Sequence, residues 1–190
     1  MSTARSKPKM SRETLLPLLA AHVLEHGLAS ASLRPLARAA DTSDRMLIYH
    51  FGNKEQLVSD VLAHIADVYS EALDAAIGGE RATTRQEVVA RILAQVREPA
   101  MQPFQVLWWE IVAGAARGTS GHTEAAEAVM ARLLTWLETQ MPEGDPDPAG
   151  GARYLLTLIE GAQMLSTVGH ARTAREGLLA SDLATDRAGD

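Results

Sequence analysis

Apolar positions recur at helical spacing along most of the chain. After Lys54, the apolar side chains that follow one another three or four residues apart are Leu57, Val58, Val61, Leu62, Ile65, Tyr69 and Leu73. This spacing places them on one face of a helix that is expected to reach Ile77 and to end at Gly78-Gly79. No convincing run alternates strictly between apolar and polar residues, as a half-buried strand would. The pattern therefore predicts an all-α protein.

Three shorter helices are predicted before this long one. Ser11 has the side chain of an N-cap, and the apolar residues after it predict a helix to His26 that Gly27 ends. A second helix is predicted over residues 33–40, with a third over residues 44–51. These short segments form the N-terminal part of the predicted fold.

Longer helices are predicted beyond residue 80. Thr84 and Glu87 have the spacing of a capping box, which opens a helix to about Arg97. Further helices are expected over residues 104–116, 123–141 and 152–168, with a partly helical tail after Gly169. We therefore expect a three-helix domain at residues 1–54, followed by a larger helical bundle at residues 55–190.

Composition narrows the class of protein. The chain has 190 residues, of which 46% are hydrophobic and 22% charged, as is ordinary for a soluble globular protein. It has no cysteine, which excludes disulfides, thiolate metal sites and cysteine nucleophiles. Its apolar runs are shorter than the roughly 20 residues of a membrane span, and its basic N-terminus leads into no apolar signal core. We expect a cytoplasmic protein with no membrane partner.

Charge is distributed unevenly along the chain, whose net charge is −6. Residues 1–56 hold eight Lys and Arg against five Asp and Glu, a balance of +3, whereas the remaining 134 residues carry −9. A basic head is suited to approach phosphate, and an acidic body is not. A chance fluctuation gives the same pattern, so charge alone leaves both interpretations open.

Residues 33–51 have the pattern of a helix-turn-helix. Ala37 is small where the two helices must cross closely, and the apolar contacts at the crossing come from Leu36, Ala40, Leu47 and Phe51. Asp41 lies where the chain must turn with a left-handed backbone, which Asp tolerates better than most residues. In this motif the second helix enters the major groove of DNA and its N-terminal residues meet the bases.

The stretch from Leu36-Ala37 to LIYHFGNKEQL at residues 47–57 resembles the signature of the tetracycline-repressor (TetR) family. That signature combines a helix-turn-helix, an aromatic residue, a His-Phe-like pair, a two-residue break and a Lys that opens the fourth helix. Asp41 replaces the Gly of the family pattern, Ile48 stands where Tyr is usual, and His22 occupies a position that is normally apolar. The resemblance implies a ligand-responsive transcriptional repressor that binds palindromic operator DNA as a dimer.

The resemblance also implies which residues contact DNA. They are Arg34, Thr42, Ser43, Asp44, Arg45, Met46, Tyr49, His50 and Lys54. The residues from Asp44 to Met46 are expected at the bases, and the others at phosphate or sugar. Arg5, Lys7 and Lys9 are expected to form an arm along the DNA.

These DNA contacts have structural alternatives. Asp44 would also suit the positive end of its helix dipole or a pair with Arg38. Arg45 and Lys54 would also serve as solvated surface charges, and Tyr49 as packing.

An effector pocket is the second implication of the resemblance, enclosed by helix 104–116, the long fourth helix and their neighbours. The expected lining residues are Tyr69, Met101, Trp108, Trp109, Glu110, Gln163 and Met164. Such a lining favours a small apolar or amphipathic effector. The alternative is that the aromatic residues belong only to the core. Glu110, an acid in an apolar segment, is expected to pair with Arg117 or an internal donor, or to meet a cationic ligand.

The last two long helices are expected to form a homodimer interface. Helices 123–141 and 152–168 are apolar beyond one face, and Gly161 and Ala162 are small enough to admit a closely packed partner helix. A two-fold dimer built around a four-helix bundle follows from this pattern.

No residues form a convincing catalytic arrangement. His22 and His26 have the spacing of a metal-ligand pair on a helix, but no third ligand is near them in the sequence. We therefore expect neither an enzyme, a metal site nor a cofactor. Two alternatives remain: a helical small-molecule-binding protein or enzyme with a vestigial helix-turn-helix, and an interaction adaptor that uses the final helices.

Overall fold

The computed structural model describes residues 10–180, and every regular element in that range is helical. The helices are α1 (Arg12–His26), α2 (Leu33–Ala39), α3 (Asp44–Phe51), α4 (Lys54–Ile77), α5 (Arg85–Gln95), α6 (Gln102–Ala116), α7 (His122–Gln140), α8 (Pro148–Thr167) and α9 (Ala171–Leu179). Short 3-10 turns cover Leu28–Ser30 and Pro99–Met101. The predicted all-α fold is confirmed. Within residues 10–180, no helix combines the length and apolar character needed to cross a membrane.

The start of α8 differs from the prediction. Its first residue is Pro148, four residues before the predicted start at residue 152. The Asp147 side chain accepts a hydrogen bond from the Gly150 N–H at 2.9 Å and so caps the helix. Proline suits this first turn because its fixed φ is already helical and its missing N–H has no helical partner there. The Pro/Gly-rich composition of residues 148–151 therefore marks a helix start as well as a loop.

Local hydrogen bonds explain two further helix starts. Ser11 and Thr14 form a complete capping box, with side-chain to backbone distances of 3.3 and 3.0 Å. Thr84 accepts from the Glu87 N–H at 3.2 Å, but the Glu87 carboxylate accepts from the Thr83 N–H at 2.9 Å. The Glu87 carboxylate therefore bonds the residue before the N-cap and not the N-cap Thr84 itself, so only half of the predicted capping box forms. This backbone hydrogen bond, with that from Arg91, lowers the pKa of Glu87.

The described residues pack as two compact units. The first contains the residues up to Val68 together with Pro103–Val129. Its buried core is Leu15, Leu19, Ala20, Val23, Ala31, Leu36, Ala37, Ala40, Leu47, Phe51, Leu57, Val61, Leu62, Ile65, Leu107 and Ile111. The contacts thus divide the chain differently from the predicted boundary after residue 54, because α6 and the first part of α4 complete the core of the N-terminal helices.

The second unit contains Tyr69–Gln102 and the described residues from Met130 onward. Here α8 packs against both α5 and α9. Arg85 on α5 donates two hydrogen bonds to the Asp145 carboxylate, at 2.7 and 2.6 Å, and a third to the Asp147 carbonyl at 3.0 Å. The Arg85 hydrogen bonds lower the pKa of Asp145. This ion pair therefore fastens the segment ahead of α8 to the start of α5.

Candidate nucleic-acid interface

The turn between α2 and α3 has the predicted left-handed backbone. Asp41 has φ 46°, and the next N–H, from Thr42, donates to the Ala37 carbonyl at 2.9 Å. A left-handed residue here reverses the chain tightly enough for α2 and α3 to pack. Asp in place of Gly therefore retains the turn geometry.

Helix α3 has one buried face and one exposed face. The Ser43 side chain caps it by accepting from the Met46 N–H at 3.3 Å. Leu47 is fully buried, whereas Arg45 is exposed and Tyr49 is 78% exposed. Arg45 and Tyr49, four residues apart on the helix, therefore present a guanidinium and an aromatic hydroxyl to solvent on the same face, which makes the outer face of α3 the best candidate for a binding surface.

Three cations, one each on α2, α3 and α4, are available for an external anion. Arg34, Arg45 and Lys54 are exposed, and within residues 10–180 none of their side chains takes part in an ion pair. Arg38 directs its Nε to the Arg34 carbonyl at 3.4 Å, so the alternative that pairs it with Asp44 lacks support.

Two residues that are predicted to contact DNA, Thr42 and His50, have side chains that contact other residues of the chain. The Thr42 hydroxyl donates to the Met10 sulfur at 3.0 Å. His50 is half-buried, its ring packs edge-on to Tyr49 at 5.1 Å, and its Nε2 is buried with no hydrogen-bond partner among the described residues. A phosphate contact from His50 would therefore have to come from Nδ1.

Sequence reasoning missed Arg12, which joins three helices of the first unit. It forms an ion pair with Asp60 of α4, and its guanidinium carbon lies 5.5 Å from the ring centroid of Phe51 on α3. Asp60 also accepts from the Gln56 side chain at 2.9 Å and is only 11% exposed. Its position three residues after the buried Leu57 was a signal that this carboxylate borders the core and needs a partner.

The predicted effector residues are distributed over both units. Trp108, Trp109 and Glu110 are half-buried in the first unit, where Trp108 packs against the core. Met101 is buried in the second unit, which also holds Gln163 and the 47% exposed Met164.

Two of the predicted effector residues, Tyr69 and Glu110, have polar groups whose surroundings the structure defines. Burial, and to a lesser extent the charge of Glu160, raises the pKa of Tyr69. The Glu110 carboxylate accepts from the Leu28 N–H at 2.6 Å. Glu110 was expected to pair with Arg117, with an internal donor or with a cationic ligand, and the structure shows the internal donor.

Two cavities among residues 10–180 are lined by none of the predicted effector residues. One, of about 270 Å³ in the second unit, is lined by Asp74, Ile77, Gly78, Gly79, Glu80, Arg81, Ala82, Val88, Arg91, Ile92 and Gln140. The other, of about 640 Å³ in the first unit, is a groove beside Lys54, Glu55, His122 and Glu124 with Leu28, Val58 and Leu62 among its apolar walls. Both have more charged groups than the predicted pocket. The expected basic arm of Arg5, Lys7 and Lys9 lies outside the described residues.

Comparisons with known proteins agree with this geometry. Residues 20–61 match the family described as "Bacterial regulatory proteins, tetR family". The HTH-type transcriptional repressor KstR2 of Mycolicibacterium smegmatis is 35% identical over 75 residues, a match that spans 37% of this chain and 37% of that repressor.

Solved structures resemble the chain over most of its length. The Streptomyces coelicolor A3(2) protein SCO7518 has a TM-score of 0.67 and 27% identity, over 88% of this chain and 95% of that one. The multidrug binding protein EbrR complexed with proflavin has a TM-score of 0.59 and 19% identity, over 88% of this chain and 96% of that one. At this identity EbrR supports the fold alone.

The fold and the exposed α3 define an all-α protein with an N-terminal helix-turn-helix and a larger helical C-terminal part. Within it, residues 20–61 are similar to the tetR family of bacterial regulatory proteins.

Proposed function

We propose that the chain is a ligand-responsive transcriptional regulator, a repressor that binds palindromic operator DNA as a homodimer. Residues 1–54 supply the DNA-binding part in this proposal, and residues 55–190 bind the effector and form the dimer. The observation that carries it is the outer face of α3, where Arg45 and Tyr49 are exposed opposite the buried Leu47.

In this proposal, α3 lies in the major groove. Arg45 donates to a guanine, for which its planar guanidinium is suited, while Asp44 and Met46 meet neighbouring bases. Lys54, at the first residue of α4, binds a phosphate as a point charge, and Arg34 binds another. Two copies of α3 in a dimer then read half-sites about one DNA turn, or roughly 34–36 Å, apart.

Substitution of Arg45 and Lys54 tests these roles. The protein is first used to select duplexes from a random pool, and the affinity for a selected duplex is measured by fluorescence anisotropy at several salt concentrations. Lys54→Ala should weaken binding to all sequences alike and reduce the salt slope by about one. Arg45→Ala should cost about 1–3 kcal/mol and relax preference at one base position.

A matched control separates these effects from a general loss of positive charge. Arg97→Ala removes the charge of an exposed arginine in the second unit and should leave binding unchanged. If Arg45→Ala retains both the affinity and the base preference of the parent protein, the proposed reading of DNA by α3 is wrong.

The proposed dimer uses α7 and α8. One face of α8 and its C-cap carries residues that recur at helical spacing: Tyr154, Leu158, Gly161, Leu165 and the C-cap Val168. Tyr154 is 40% and Val168 61% exposed, and a Cβ built at Gly161 meets no atom within 4 Å. An apolar stripe with open space at its centre suits a second copy of the same helix, since a two-fold axis pairs identical surfaces.

The proposed effector is a small apolar or amphipathic molecule held by the body of the protein, and its binding releases the DNA. The proflavin complex of EbrR supports proflavin as a first probe. Binding near Trp108 and Trp109 should quench tryptophan emission and weaken DNA binding together. Trp136→Phe should retain this quenching, because the Trp136 indole donates to Asp74 at 2.6 Å, beside a different cavity. Quenching that leaves DNA binding unchanged would argue against release by this ligand.

A further inference from the structure

A carboxylate on α6 holds the backbone between α1 and the helix-turn-helix. We infer that Glu110 is a positioning residue: it ties α6 to the turn ahead of α2, so that a displacement of α6 alters how α3 is presented to DNA. This inference rests on the proposed DNA-binding function and adds to it a specific route of regulation.

The contact is close and sterically complementary. The Leu28 N–H donates to Glu110 Oε2 at 2.6 Å, between residues 82 positions apart in the chain. A Cβ built at Gly27 would lie 2.7 Å from Oε1 and 3.1 Å from Oε2 of the same carboxylate. Gly27 thus leaves the space that the carboxylate occupies. A charged acceptor on a backbone N–H is among the stronger hydrogen bonds in proteins.

The turn that Glu110 holds is itself tightly bonded to its neighbours. The Gly27 N–H donates to the Val23 carbonyl of α1 at 2.9 Å, and the Gly27 carbonyl accepts from the Ser30 N–H at 3.1 Å and the Ser30 hydroxyl at 2.7 Å. The Ala31 N–H then donates to the Leu28 carbonyl at 2.9 Å. Because α2 starts at Leu33, only this short hydrogen-bonded turn separates Leu28 from the helix-turn-helix, so a shift of the Leu28 amide is transmitted to α2.

On the other side of the contact, α6 is anchored in the same core. Leu107 and Ile111, which flank Glu110 along α6, are 3% and 2% exposed. Trp108 and Trp109 precede Glu110 directly and are half-buried. Since adjacent side chains on a helix move together, a rotation of α6 that accommodates a ligand at either tryptophan must also move the Glu110 carboxylate. Loss of its bond to Leu28 then releases the turn.

Three substitutions of Glu110 test the inference. Glu110→Ala removes the acceptor, Glu110→Asp keeps the charge but shortens the side chain, and Glu110→Gln keeps an oxygen that can accept the same N–H. Glu127→Ala removes an exposed acid of α7 in the same unit and serves as the control. Affinity for the selected duplex is measured well below the melting temperature, so that loss of stability alone does not change it.

We expect Glu110→Ala and Glu110→Asp to weaken DNA binding about tenfold, as the loss of one charge-assisted hydrogen bond would. The salt slope should stay unchanged, because no phosphate contact is removed. Glu110→Gln and the Glu127 control should bind nearly as the parent does. Amide hydrogen exchange should rise at Leu28 and in α3 for the Ala and Asp variants alone.

The outcomes separate this inference from the proposed function. If the parent selects no duplex, the proposed function fails, while hydrogen exchange at Leu28 still reports the contact. If the parent binds DNA and both the Ala and Asp variants bind equally well, the positioning role is overturned. Should Glu110→Ala fail to fold, the comparison of the Asp and Gln variants decides: weak binding by Asp with normal binding by Gln supports the inference, and equal binding refutes it.

Discussion

Substitution of Gly27 by Ala should destabilise the protein in two separable ways. Gly27 has φ 78° and ψ 171°, a backbone region that is essentially restricted to glycine. An L residue there costs about 1–3 kcal/mol in backbone strain. The new Cβ would also lie 2.7 Å from Glu110 Oε1, so the carboxylate must shift, and we expect this shift to break its bond to Leu28.

The second effect has its own magnitude. A hydrogen bond to a charged group contributes about 1.5–3 kcal/mol, so Gly27→Ala should lower the free energy of unfolding by about 2.5–6 kcal/mol in total. This is a large fraction of the roughly 5–15 kcal/mol by which a domain is stable. Urea titration followed by circular dichroism at a helical band measures the loss as a change in midpoint.

A double-mutant cycle isolates the contact with Glu110. In a Glu110→Ala background the collision is absent, and Gly27→Ala should cost only the strain of about 1–3 kcal/mol. Gly52→Ala is the matched control, because Gly52 also has positive φ, 87°, but a Cβ there meets no atom within 4 Å. Equal costs of Gly27→Ala in both backgrounds would refute the reasoning.

Three other substitutions test a contact within each unit and the proposed dimer interface. Asp145→Asn should cost about 2–4 kcal/mol at neutral pH, because the Asp145 carboxylate is 2% exposed and is bonded to Arg85. Because the pKa of Asp145 is lowered in the folded state, this stabilisation is present above the ordinary pKa of about 3.9 and is lost as pH falls through the folded-state pKa. If the urea midpoints of parent and variant depend equally on pH, the prediction is wrong. Arg12→Ala should lower stability by about 1–2 kcal/mol through its contacts with Asp60 and Phe51, discounted because Arg12 is 50% exposed; an unchanged thermal midpoint would argue against it. Gly161→Leu should shift sedimentation from dimer to monomer, and an unshifted boundary would reject the proposed α8 interface.

The sequence by itself determined the local elements. The bounds of α1, α3 and α4 agree closely with the helical spacing of apolar residues and with the cap residues beside them. Asp41 was identified as the left-handed residue of the turn because the helix-turn-helix requires one there, and its φ of 46° confirms this. These features are predictable because each depends on residues within about one or two helical turns of one another.

The tertiary structure decided which distant residues meet. Leu28 and Glu110, and Arg85 and Asp145, are 82 and 60 positions apart, and no spacing rule pairs them. The periodicity of α6 indicated that Glu110 interrupts an apolar segment, but its acceptor role depends on where the turn after α1 packs. Such pairs arise because burial of the apolar faces brings helices together, and the polar groups carried along must then find partners at the contact.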